Sequence, residues 1–379
     1  MVKGLHMHAL SDSADQVKTP EETYGNLRVQ AETLAHNANN FDFLRLFAAC
    51  LVIWYHASCL MGRSRDPLGQ LTGNATDLGA LAVSIFFVIS GYLITQSFER
   101  SKSILQYAGA RFLRLFPAMF VLCVLTACCL GPLVSETNWQ HYFSDNDFWK
   151  YFKNCLFLET YVHLPDVFMH NHYPIVVNGS IWTLPVEAFM YSITFLLGVT
   201  QVHKSKLLMT LIFAALVVAD MQIYSTPSGG LTPFLWLPPL TATAKFAIMY
   251  LGGALYYLYR DSVKLSWQAA ALILLLLAGS YHTPHSRLLE YFCIPYLVMV
   301  AAYFPAPYLR NAAKYGDFSY GIYLYGFVVQ QSIMHFTQGH ISPAKFIFLS
   351  LATSFICAIF SWNFVEKPAL SLKRYLKPA

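Results

Sequence analysis

Residues 40–61 read NFDFLRLFAACLVIWYHASCLM. From Phe41 to Met61 the run is about 20 residues long, the length a helix needs to cross ~30 Å of hydrocarbon. Two ionisable residues interrupt it, Arg45 near one end and His56 eleven positions later. Eleven residues advance an α-helix by ~16 Å and by three turns plus ~20°, so both side chains share one face at two depths. Polar groups inside lipid are costly and face a protein interior or a water-filled cavity. The stripe therefore reads as one wall of a site.

The rest of the chain agrees with a membrane reading. Of 379 residues 56% are hydrophobic, 16% aromatic and only 12% charged, where soluble domains carry about 25% charged residues. Hydropathy predicts an all-α polytopic membrane protein of about ten transmembrane helices, near 43–61, 79–98, 113–131, 181–200, 206–222, 242–259, 265–281, 288–305, 317–335 and 344–364. Alternate connections are basic: Arg100, Lys102 and Arg111; Lys204 and Lys206; Arg260 and Lys264; Arg310 and Lys314; and Lys367, Lys373, Arg374 and Lys377 at the end. By the positive-inside rule both termini are cytoplasmic. Residues 1–40 are polar, with no apolar run and no signal-peptide pattern, and read as a disordered tail. His6 and His8 lie in it without further ligands, so no metal site is expected, and no nucleic-acid partner either.

The one long outer connection, about 132–180, carries Trp139, Tyr142, Trp149, Tyr151 and Tyr161. Its aromatic residues suit the membrane interface, and it reads either as a lid or acceptor platform or as a plain surface excursion. The eight cysteines have no metal or redox spacing; a Cys59–Cys155 disulfide is conceivable if both lie outside the cytoplasm, though spacing alone does not show that two thiols meet.

With the first span running outward, His56 lies ~8 Å below the outer surface, and Glu187 in SIWTLPVEAFMY lies ~10 Å below it if the fourth span starts there. At matching depth the imidazole would accept a hydroxyl proton and the carboxylate would fix its tautomer. The bland alternative is that each satisfies a helix contact. Pro185, two residues earlier, is expected to kink the outer end of that span. At the inner level Arg111 and Arg114 share a helix face and Arg45 joins them, a set able to hold a phosphate-bearing ligand or simply to fix topology. Between the levels Ser84, Ser90 and Gly91 in AVSIFFVISGYLIT leave room for a ligand arm or for close helix packing.

These residues are where the chain resembles a known family. FDFLR followed by His56, SIFFVISGYLI, RFLRLFP, SIWTLPVE and the late FSYGIYLY look, in that order, like the acyltransferase-3 family of membrane O-acyltransferases, over about residues 40–370. The resemblance implies transfer of an acyl group, usually acetyl from acetyl-coenzyme A, to a sugar hydroxyl of a surface polysaccharide or related glycan at the bacterial inner membrane. It implies catalytic roles for His56, Glu187 and Arg45, and acyl-coenzyme A binding by Arg111, Arg114 and Arg45 beside Ser84, Ser90 and Gly91. Trp182 and the tyrosines Tyr320, Tyr323 and Tyr325 are the expected acceptor contacts. The match departs at the late motif, where many members continue to a His and a Pro; here Gly326 and Val328 stand instead. Glu366 in NFVEKPAL reads as a structural cap. Direct attack by the sugar and a short-lived acyl-enzyme both fit this pattern. A reading from another class, a secondary transporter of a lipid-linked or anionic solute, would use the same buried charges.

Overall fold

A computed structural model describes residues 27–28, 39–225, 233–234 and 237–376. The expected tail, with His6 and His8, lies outside them apart from 27–28 and 39–40, and Leu27–Arg28 pairs antiparallel with Lys264–Leu265.

Helices follow the apolar runs. They are α1 Phe41–Leu60, α2 Leu78–Arg100, α3 Ile104–Val124, α4 Thr183–Val199, α5 Lys206–Tyr224, α6 Leu240–Leu258, α7 Trp267–Ser280, α8 Ser286–Tyr303, α9 Ser319–Thr337 and α10 Pro343–Ser361. A π-turn over Leu125–Leu130 prolongs α3, and another over Trp362–Glu366 prolongs α10. The fold is all-α; strands among the described residues are confined to two short pairs. Five helical stretches, Phe41–Leu60, Leu78–Arg100, Ile104–Val134, Lys206–Tyr224 and Pro343–Leu376, are long and apolar enough to cross a membrane, while Thr183–Val199 and Trp267–Ser280 are shorter apolar helices.

Local chemistry fixes the helix ends. Asp77 caps α2 by accepting from the Ala80 amide at 2.6 Å, and Ser103 caps α3 by accepting from Gln106 at 3.1 Å. Asn40, before α1, donates from Nδ2 to the carbonyls of Ala301 and Phe304 at 3.0 and 2.9 Å. That side chain ties the start of α1 to the end of α8.

The tightest crossing is between α2 and α6. A Cβ on Gly91 would lie 1.8 Å from the Tyr250 carbonyl oxygen, and one on Gly253 would lie 2.0 Å from that of Val88. Only glycine lets the two backbones meet this closely, the small-residue device of membrane helix packing. Gly91 thus takes the packing role of the two expected for it. Ser84 returns its hydroxyl to the Ala80 carbonyl of its own helix at 2.7 Å.

The long connection over about 132–180 is ordered by its own contacts, and its end is buried. It holds short helices at Trp139–Ser144 and Asn146–Tyr151. Its last part descends into the bundle: Val177, Asn178, Ser180 and Ile181 are buried. Asn178 donates to the Leu324 carbonyl at 3.0 Å, Ser180 to that of Tyr323 at 3.2 Å, and the Tyr323 hydroxyl donates to the Ser180 carbonyl while accepting from the Thr183 hydroxyl. Irregular backbone at membrane depth is stable only where protein satisfies it in this way. So α4 starts inside the bundle, at the level of the second turn of α9. Pro185 is its third residue, in the first turn where backbone N–H groups have no intrahelical partner, and the expected kink does not arise.

The conceivable Cys59–Cys155 disulfide does not form. All eight cysteines are free thiols, and Cys155 lies against Cys123 of α3.

Candidate active site

One end of the bundle gathers the arginines. Arg45 stands in the second turn of α1 and Arg111 and Arg114 near the middle of α3; Arg45 and Arg114 meet the turn before α9, and Arg114 also meets the π-turn after α10. Arg114 Nη2 donates to Asp317 Oδ2 at 2.7 Å, and Arg45 Nη2 lies 3.4 Å from the same oxygen. Arg45 also pairs with Asp42 one turn back. Arg114 Nη1 lies 3.7 Å from Glu366 Oε2, whose other oxygen accepts from Ser361 at 2.9 Å. Glu366 is therefore part of this ion network as well as of the helix end.

Arg111 differs from its neighbours. It donates to the Ser97 hydroxyl at 3.2 Å and lies over the rings of Tyr107 and Tyr191, 5.7 and 5.9 Å from their centroids. Among the described residues no carboxylate is in ion-pair contact with it, and its buried Nε has no acceptor. The Nε of Arg45 is likewise unpartnered. A buried donor without an acceptor is costly, and both of these nitrogens keep a hydrogen bond to give.

His56 lies towards the other end of α1. Its ring meets that of Phe327 edge-on at 5.0 Å and that of Tyr55 at 5.3 Å. The Gln330 side chain donates to the Ile53 carbonyl at 2.8 Å, which sets α9 beside this part of α1. No side chain among the described residues hydrogen-bonds the imidazole.

The structure does not bring Glu187 to His56. Glu187 accepts from the Tyr191 hydroxyl one turn along α4, and the charges acting on it are those of Arg114, Arg111 and Arg45. The reason is the low start of α4: Glu187 lies one turn inward of Thr183, while His56 meets Phe327, one turn outward of Tyr323. Roughly two helical turns, ~11 Å, separate the two levels. Glu187 belongs to the arginine end.

The other expected residues are distributed through the bundle. Ser90 lies at the Tyr191 hydroxyl. Tyr320 donates to the Leu115 carbonyl at 3.0 Å beneath the Arg114 guanidinium, Tyr323 faces α4, and Tyr325 faces Ser361 of α10. Trp182, just before α4, tilts against Phe246 at 5.8 Å. Sequence reasoning missed Asp317 and Tyr191. Asp317 directly precedes FSYGIYLY, where a carboxylate at a helix start was a readable signal.

Arginines at one end of α1 and a histidine near the other, joined by buried tyrosines, meet a decisive comparison: the profile of an acyltransferase domain family matches residues 39–362. The chain belongs to the acyltransferase-3 family. As an acyltransferase-3 protein it is an enzyme of the membrane, which sets the transporter reading aside. It is 30% identical to an O-acetyl transferase of Shigella phage Sf6 over 89% of this chain and 97% of that one. It is 28% identical to nodulation protein 10 of Rhizobium leguminosarum, covering 89% and 95%. A peptidoglycan O-acetyltransferase of Listeria monocytogenes is 24% identical over 87% of this chain but 55% of its own length. No solved structure matches this acyltransferase-3 chain.

Proposed function

We propose that this protein is an O-acetyltransferase of the bacterial inner membrane, moving an acetyl group from acetyl-coenzyme A to a hydroxyl of a sugar in a surface polysaccharide or related glycan. The observation that carries the reading is the distribution of charge along α1. Arg111, without a carboxylate partner, and the unpartnered Nε of Arg45 would take the phosphates at the cytoplasmic end, since guanidinium groups match phosphate geometry. Arg114, held by Asp317 and Glu366, would keep that end in place.

At the level of His56 the acceptor oxygen attacks the thioester carbonyl carbon while the imidazole takes the hydroxyl proton. The carbon–sulfur bond breaks, and the departing sulfur takes the proton back from the imidazolium, leaving the sugar ester and coenzyme A thiol. Without a carboxylate on the ring, Phe327 and Tyr55 hold its orientation by contact. Glu187 serves the arginine end instead, balancing positive charge when the donor is absent.

The test uses purified protein in liposomes with isotope-labelled acetyl-coenzyme A and a glycan. Thiol release that depends on the glycan, with the label found as an ester on a sugar hydroxyl by mass spectrometry, is the expected result. Consumption of acetyl-coenzyme A with no ester on any sugar would overturn it.

A further inference from the structure

Above His56, where α1 and α9 reach their outer ends, residues 170–172 of the long connection border an open surface pocket of about 300 Å³. Its walls are His170, Asn171, His172, Gln338 and His340, with Met61 and Met334 at its base. Met61 follows the last residue of α1, five positions and so ~7 Å beyond His56 along the axis. Phe327 links the two levels, since it meets His56 at 5.0 Å and Tyr173, beside His172, at 6.4 Å.

The walls are held in place. Asn171 donates to the Gln331 carbonyl and side-chain oxygen at 2.9 and 2.8 Å, and Gln331 donates in turn to the carbonyls of Tyr173 and Val176 at 2.8 and 2.6 Å. That leaves the Asn171 carbonyl oxygen available. His172 lies over Gly62, at φ +69°, where any Cβ would come within 1.9 Å of its Nε2. The turn after α1 is thus shaped around this imidazole.

The chemistry of the lining is specific. Imidazoles and amides both donate and accept, as sugar hydroxyls do, and the walls contain no Asp, Glu, Lys or Arg. A carboxylated or phosphorylated sugar would find no arginine or lysine there, and the His170 imidazole already faces a carboxylate, its Nε2 3.2 Å from Glu136 Oε1. The volume is at the small end of ligand pockets, room for one sugar unit with the rest of the chain outside.

We infer that this vestibule binds the acceptor, and that it selects an uncharged sugar unit, with Gln338, His340, His172 and Asn171 as its hydrogen-bonding partners. This rests on the acyl-transfer reading above.

The test measures acetyl transfer by the full chain to a panel of neutral oligosaccharides (glucan, mannan, rhamnan and chitin fragments) and an acidic one, oligogalacturonate. At least one neutral acceptor should be used and the acidic one should not. For the accepted sugar, His340→Ala combined with Gln338→Asn, which keeps a residue tolerant of the left-handed φ of +51° at 338, should raise the acceptor KM about tenfold with the acetyl-coenzyme A KM within about twofold. His141→Ala, exposed on the same connection outside the pocket, should change neither. An acceptor KM unmoved by the double variant, or oligogalacturonate as the preferred acceptor, overturns the vestibule and leaves the transfer reading intact. A wild-type protein that acetylates no member of the panel overturns both.

Discussion

Arg114 Nη2 donates to Asp317 Oδ2 across 2.7 Å, fastening α3 to the turn that starts α9. The same carboxylate oxygen faces Arg45, so one acid holds three elements of the bundle together. Removing one partner of a buried pair leaves the other charge uncompensated, and that loss outweighs what the pair itself contributes.

Asp317→Asn should therefore destabilise the protein by about 3 kcal/mol, read by chemical denaturation in detergent. Burial alone would raise the pKa of Asp317, but Arg114 and Arg45, helped by Ser319, hold its carboxyl well below the ordinary carboxylate range. Because the folded value is the lower one, the stabilisation is complete above the ordinary range and disappears only as acid protonates the group. Between pH 6 and 8, bounds chosen well above the ordinary carboxylate pKa of about 4, the difference between wild type and Asp317→Asn should be flat. A difference that grows with pH across that interval contradicts the assignment.

Arg111→Ala should weaken acetyl-coenzyme A binding by about tenfold or more while the protein stays folded, because its guanidinium is not engaged by an acid. Arg114→Ala should show the opposite balance, with greater loss of stability than of affinity. Calorimetry and denaturation on the same two preparations separate these outcomes; equal affinities for wild type and Arg111→Ala would return Arg111 to a topological role.

His56→Ala should lower acetyl transfer by about a hundredfold or more, the scale of a lost general base, with unchanged insertion and donor affinity. Substantial turnover by a well-expressed variant would remove His56 from the reaction.

Glu187 and Tyr191 should behave as a unit, and Glu187 and His56 should not. A double-mutant cycle in unfolding free energy between Glu187→Gln and Tyr191→Phe should give a coupling of about 1 kcal/mol, and one between Glu187→Gln and His56→Ala less than about 0.5 kcal/mol. The reverse ranking would restore the histidine–carboxylate pairing.

Gly91→Ala should prevent stable accumulation of the protein, because the new methyl would overlap the Tyr250 carbonyl. Gly279→Ala in α7, where no atom lies within 4 Å of the added carbon, should be tolerated. Comparable yields of both in membranes would show that the α2–α6 crossing can spread.

The class of fold was legible because hydrophobic runs of membrane length leave little else for the chain to become, and Arg45 and His56 were legible because a fixed helical rise converts spacing into depth. Glu187 was placed at the wrong level for a physical reason. Hydropathy registers how apolar a segment is and not whether lipid or protein surrounds it, so the buried descent through Val177, Asn178 and Ser180 was read as part of the outer connection. The glycine contacts of Gly91 were foreseen as one of two possibilities, whereas the Asp317–Arg114 pair required knowing that the turn before α9 folds back onto α3.

The low start of α4 has a consequence for transport of the acetyl group. Where a helix would otherwise fill the outer half of the bundle, the chain instead admits a polar segment that is satisfied by α9. In the proposed reaction the donor at the arginines and the acceptor at His56 would stand apart by the ~16 Å between Arg45 and His56, about half the ~30 Å of a bilayer's hydrocarbon. On that reading neither reactant would have to cross the membrane: an outstretched thioester would reach from the arginine end towards His56.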